Sequence, residues 1–192
     1  AYVLNGNADA TAGAHFNMYG GTLRATDNNY SKKSGVMQIG NSTNNPCSFN
    51  MYGGTIEGGK AGSGKGHDVM LMAGTLEISG GNIGKVWLAV IAADGNVKLS
   101  GAPTVKELNV AGTTRPVWVE GMTGGMVTWA IGSGDTSRTV ATGCTTDDLS
   151  CFEAANGGEL ILTGDAVSIG EAVHRHCFCI GAEELPVEHA CT

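Results

Sequence analysis

From residue 16 onward the chain alternates apolar and polar side chains in short bursts, and most bursts end in glycine. Phe16-Asn17-Met18-Tyr19-Gly20-Gly21-Thr22-Leu23 returns almost letter for letter as Phe49-Asn50-Met51-Tyr52-Gly53-Gly54-Thr55-Ile56. Weaker copies follow: Leu76-Glu77-Ile78-Ser79-Gly80-Gly81-Asn82-Ile83, Val97-Lys98-Leu99-Ser100-Gly101, Val117-Trp118-Val119-Glu120-Gly121 and Leu160-Ile161-Leu162-Thr163-Gly164-Asp165-Ala166-Val167. Alternation at period two puts the first and third residues of each unit on one buried strand face and the second outside. The glycine then supplies a corner that other residues adopt only with strain. Measured on Gly20, Gly53, Gly80, Gly101, Gly121 and Gly164, the steps are 33, 27, 21, 20 and 43 residues. They describe a rung near 20 residues with insertions, the last step holding two rungs or one large loop.

A second strand set lies between these corners: Val36–Ile39, Val69–Met72, Val86–Val90, Leu108–Val110 and Met126–Trp129. The first two members start 20 residues after Phe16 and Phe49. Each rung therefore has at least two strands, and the Thr-Leu, Thr-Ile or Asn-Ile continuation could make a third. The pattern predicts an all-β chain: a right-handed single-stranded parallel β-helix over 1–170, each strand pairing with its equivalent one turn away, then a Cys/His-rich C-terminal cap over 171–192. An antiparallel sandwich would need tight hairpins between adjacent strands, yet Asn-Gly or Asp-Gly occurs only at Asn5-Gly6, Asp94-Gly95 and Asn156-Gly157. Helix is confined to a turn or two at Asp147–Ala155 and Gly170–Arg175.

Composition changes this picture little. Of 192 residues 31 are glycine, about twice the usual share of roughly 7%, and with four prolines and no triplet period collagen is excluded. The net charge is −7 and Lys32-Lys33 is the only adjacent basic pair, so nucleic acid, which needs clustered Lys and Arg, is not an expected partner. No apolar run approaches the roughly 18 residues of a membrane span. No cationic, then apolar leader opens the chain. Ala1-Tyr2-Val3-Leu4 reads like mid-protein sequence, which suggests a mature form or an excised piece.

The chemistry-bearing side chains gather late. Cys144 and Cys151 flank an acidic loop with Asp147-Asp148, and a disulfide across it is expected if the protein works outside the cell; two free thiols are the alternative. Cys47, just before the second Phe-Asn-Met-Tyr strand, reads as a small core or corner residue. In the tail, Cys177/Cys179 and His189/Cys191 each have i, i+2 spacing, which on extended strands puts both side chains of a pair on one face. Two such strands could clamp a tetrahedral structural Zn2+, with His176 as an alternate ligand; a disulfide from Cys191 to Cys177 or Cys179 competes. The polar segments Ala25–Gly35 and Gly58–Asp68 leave the coil at equivalent places and should lie side by side. The second is rich in glycine and lysine but does not match the phosphate-loop spacing.

The Phe-Asn-Met-Tyr-Gly-Gly-Thr-Ile and Leu-Glu-Ile-Ser-Gly-Gly-Asn-Ile units resemble repeats of large secreted or wall-attached proteins of anaerobic gut bacteria, in the broad pectate-lyase-like β-helix class. The tail His176-Cys177-Phe178-Cys179 is similar to a His-Cys-x-Cys element recurring there, although Ile180 intervenes before Gly181, where glycine usually follows directly. The resemblance implies an extracellular or cell-surface location. Some of that class cleave polysaccharides, with acidic clusters and a basic residue for lyases or clustered aspartates for hydrolases. Here Arg24, Arg115, Arg138 and Arg175 lack such a setting, and the adjacent acids Asp147-Asp148 and Glu183-Glu184 read as loop charges. The expected function is therefore non-catalytic: a structural or adhesive segment contacting a surface glycan, a host surface or another copy of itself, forming a homo-oligomer or filament by end-to-end stacking. A carbohydrate-binding or polysaccharide-cleaving module is the alternative, with Trp87, Trp118 and Trp129 as candidate sugar platforms.

Overall fold

The computed structural model describes residues 2–4, 13–25, 35–40, 47–58, 67–89 and 96–172. The described strands are β1 (Tyr2–Leu4), β2 (His15–Met18), β3 (Thr22–Arg24), β4 (Met37–Ile39), β5 (Ser48–Met51), β6 (Thr55–Glu57), β7 (Val69–Leu71), β8 (Thr75–Ile78) and β9 (Asn82–Leu88). They continue as β10 (Asn96–Gly101), β11 (Thr104–Asn109), β12 (Val117–Met122), β13 (Met126–Ala130), β14 (Thr139–Thr142), β15 (Phe152–Ala154), β16 (Gly158–Thr163) and β17 (Ala166–Ala172). One 3-10 turn, Asp147–Cys151, precedes β15. Among the described residues no helix is long and apolar enough to cross a membrane.

The protein is all-β and its strands make two sheets. One runs β2-β5-β8-β10-β12-β14-β17-β16; the other runs β1-β4-β7-β9-β11-β13-β15, with β3 and β6 pairing in sequence onto the first half of β9. The chain alternates between them, so strand neighbours are not sequence neighbours. Every pair is parallel except β14–β17 and β16–β17, which removes the antiparallel sandwich. The register lays like above like: Phe16 on Phe49 and Phe49 on Leu76, then Leu76 beside Val97 and Leu99 beside Val119. The third strand of the early rungs exists as β3 and β6, and from β9 onward it fuses with the second into one longer strand.

Alternation does what period two demands. Phe49, Met51, Leu76, Ile78, Leu99 and Val119 from one sheet and Ile39, Ile56, Ile83, Leu108, Val127 and Trp129 from the other are buried in one shared core. The glycine pairs divide their labour. At Gly53 and Gly80 a Cβ would sit 2.7 Å from Tyr19 O and 2.5 Å from Tyr52 O, whereas the left-handed residue is the second glycine: Gly21, Gly54 and Gly81 at φ 83°, 95° and 84°. The first glycine permits close rung-to-rung approach and the second turns the chain.

The sixth unit is a correction. Leu160-Ile161-Leu162-Thr163 forms β16, which turns through Gly164-Asp165 and pairs antiparallel with β17. Only two residues, Gly164 at φ 65° and Asp165, separate the paired Thr163 and Ala166, and a loop that short joins adjacent antiparallel strands. The sixth parallel strand is β14, paired with β12, and its Val140-Ala141 doublet is buried at both positions, so it shows no alternation. The helical turn expected at Gly170–Arg175 begins instead as the end of β17.

Candidate binding face

The outward side of the β2–β16 sheet carries rows of polar side chains set by strand register. One row reads Asn17, Asn50, Glu77, Lys98, Trp118, Thr142. Asn50 Nδ2 donates to Asn17 Oδ1 at 2.8 Å, and His15 Nδ1 lies 2.6 Å from Ser48 Oγ in the neighbouring row. Lys98 pairs with Glu120. That hydrogen bond, against partial burial and with the charges of Glu120 and Glu77, holds the ammonium above its ordinary pKa. Trp118, half exposed at 50%, lies between Lys98 and Thr142, its ring beside Gly143, where a Cβ would come within 3.3 Å of it. A half-exposed indole flanked by the Lys98 ammonium and the Thr142 hydroxyl can stack on a flat ligand while its neighbours hydrogen-bond it.

At the corner beyond this row, Tyr19 and Tyr52 stack with ring centroids 4.8 Å apart and 10° between planes, 74% and 49% exposed. The other tryptophans separate by burial. Trp129 lies in the core, edge-on to Phe152 at 5.4 Å; its Nε1 has no hydrogen-bond partner among the described residues. Trp87 is half-buried on the second sheet and stacks with His67 at 4.7 Å.

Two aspartates read as loop charges in the sequence differ sharply once folded. Asp148 is buried; its Oδ1 accepts the Met122 N–H at 2.7 Å, and its Oδ2 accepts both the N–H and the hydroxyl of Thr145 at 2.7 Å. Burial alone would raise its pKa, but the hydroxyl and two amide hydrogen bonds outweigh it and hold the carboxyl below its ordinary value. Asp148 therefore ties the end of β12 to the turn before β15. Asp147 starts the 3-10 turn. Asp68 is also buried and accepts the Lys85 N–H at 2.7 Å.

Cys144 and Cys151, between which a bridge was expected, are both buried free thiols in this structure, as is Cys47. Burial, then the charges of Asp148 and Asp165, push the Cys144 thiol up to about 12, so it is no nucleophile near neutrality. Cys177, Cys179, His189, Cys191 and His176 lie outside the described residues, as do most of the two polar loops. Among the described residues no group of three or more His, Cys, Asp and Glu could hold a metal ion. No family model, curated protein or solved structure matches this chain.

Proposed function

We propose that the chain is a right-handed single-stranded parallel β-helix acting as a non-catalytic structural or adhesive segment of a secreted or cell-surface protein. The single observation that carries this is the repeated parallel register, in which Phe16/Phe49, Asn17/Asn50 and Tyr19/Tyr52 stand directly above one another. A chain that visits two sheets alternately and returns one strand further along each time advances as a coil. Such a scaffold presents side chains in regular outward rows, which suits contact with a repeating surface. A glycan array run beside a reducing-sugar assay tests it: retention on glycans or on another copy without release of new reducing ends is expected, and polysaccharide cleavage would overturn it.

Trp118 favours a second reading, a carbohydrate-binding module. Trp118→Ala should abolish glycan retention while shifting the melting midpoint by no more than a degree or two, since surface changes usually stay within about 0.5 kcal/mol. A Zn2+ held by Cys177, Cys179, His189 and Cys191 belongs to the same proposal. Metal content with free-thiol counting should give about one zinc per chain and no tail disulfide.

A further inference from the structure

Both ends of the β2–β16 sheet present an unfinished strand, and the two ends match. Among the described residues β2 and β16 each have a neighbour on one side only. β17 runs antiparallel to β14, and β16 antiparallel to β17, so β16 points the same way as β14 and hence as β2. The hairpin therefore restores the direction of the sheet instead of closing it. Inward residues at each end are incompletely covered. Phe16 on β2 is only partly buried, whereas Phe49, one strand inside, is fully so. Leu160 and Leu162 on β16 are likewise partly buried against the core.

We infer that the chain self-associates head to tail, β16 of one copy pairing in parallel with β2 of the next. This rests on the proposed self-association and specifies its polarity. Inward residues must meet inward residues, which sets Leu160 beside Phe16 and Leu162 beside Met18. In that register the outward Glu159 falls beside the outward His15, and Ile161, 44% exposed, beside Asn17. Such a contact gives both edge strands their missing ladder and covers three half-open apolar side chains, Phe16, Leu160 and Leu162.

The free edge of β2 is identifiable residue by residue. Ser48 N–H donates to Ala14 O and Tyr52 N–H to Met18 O, so the groups of Ala14, Phe16 and Met18 face β5, and those of His15 and Asn17 face outward. Asn17→Pro or His15→Pro therefore removes an edge donor and leaves the β2–β5 ladder intact. Leu160→Lys or Leu162→Lys places an inward-pointing charge at the other end, a device that blocks edge pairing.

The test is sedimentation velocity over a hundredfold concentration range on the full chain and on each variant, with circular dichroism confirming the fold; the second variant at each end stands in if the first fails to fold. Concentration-dependent oligomers of wild type, monomers of either variant alone, and a heterodimer on mixing an Asn17→Pro chain with a Leu160→Lys chain are expected. A Leu160→Lys chain that still dimerises alone would show head-to-head pairing, an Asn17→Pro chain that does so tail-to-tail pairing, and a wild type that stays monomeric would show the edges covered by this chain's own remaining residues. Each of these overturns the inference. Glycan retention by a monomeric wild type would leave the surface-binding role standing and remove only the stacking.

Discussion

Asp148 fixes one corner with three hydrogen bonds to a single buried carboxylate. Asp148→Ala leaves two amides and a hydroxyl without their acceptor and should cost about 2–4 kcal/mol in denaturant unfolding. Because its folded pKa is depressed, its ionised form stabilises the protein above the ordinary carboxylate range, near 3.9, and that contribution is lost as pH falls through the lower folded value. Asp148→Asn should therefore flatten the acid limb of a stability–pH profile. Cys144 makes an opposite prediction about reactivity. With its pKa pushed up to about 12, roughly 10⁻⁴ of it is thiolate at pH 8, so a thiol reagent should label it only on unfolding. Neither role was legible beforehand: Asp147 and Asp148 look alike in sequence, and only the return of the chain past Met122 tells them apart. Trp118, the second residue of its unit, follows the alternation outward, whereas Trp129 stands in a strand outside the glycine frame and only the fold places it in the core.

The strands that alternate, β2, β5, β8, β10 and β12, were readable because each has one wet and one dry face, and their glycines marked the corners. β14 was missed for the converse reason: Val140 and Ala141 are both buried, so period two disappears. β16 was misassigned because it carries the right alternation while its turn, not its pattern, reverses the chain. The division of labour within glycine pairs is testable at Gly81, whose φ is 84° and whose added Cβ would lie 2.6 Å from Met51 Cε and 2.8 Å from Gly54 O. Gly81→Ala should destabilise by about 1–3 kcal/mol. The same change at Gly20, which has nothing within 4 Å and no left-handed φ, should be nearly silent in the same melt.

Over the whole molecule each strand pairs with the ones directly beside it, so stability is a sum of local terms and the ends can loosen before the middle. The Tyr19/Tyr52 pair follows the neighbouring strands β2 and β5, and the Trp129/Phe152 pair stands on β13 and β15. Two rings nearly parallel at 4.8 Å couple their near-ultraviolet transitions, and no second tyrosine stack is formed by the described residues. A tyrosine gauge thus stands toward one end of the sheets and an indole gauge, Trp129, toward the other. Heating watched at both wavelengths, in a chain whose Trp87 and Trp118 are replaced by Phe so that Trp129 alone reports, would reveal from which end this protein frays, with no label attached.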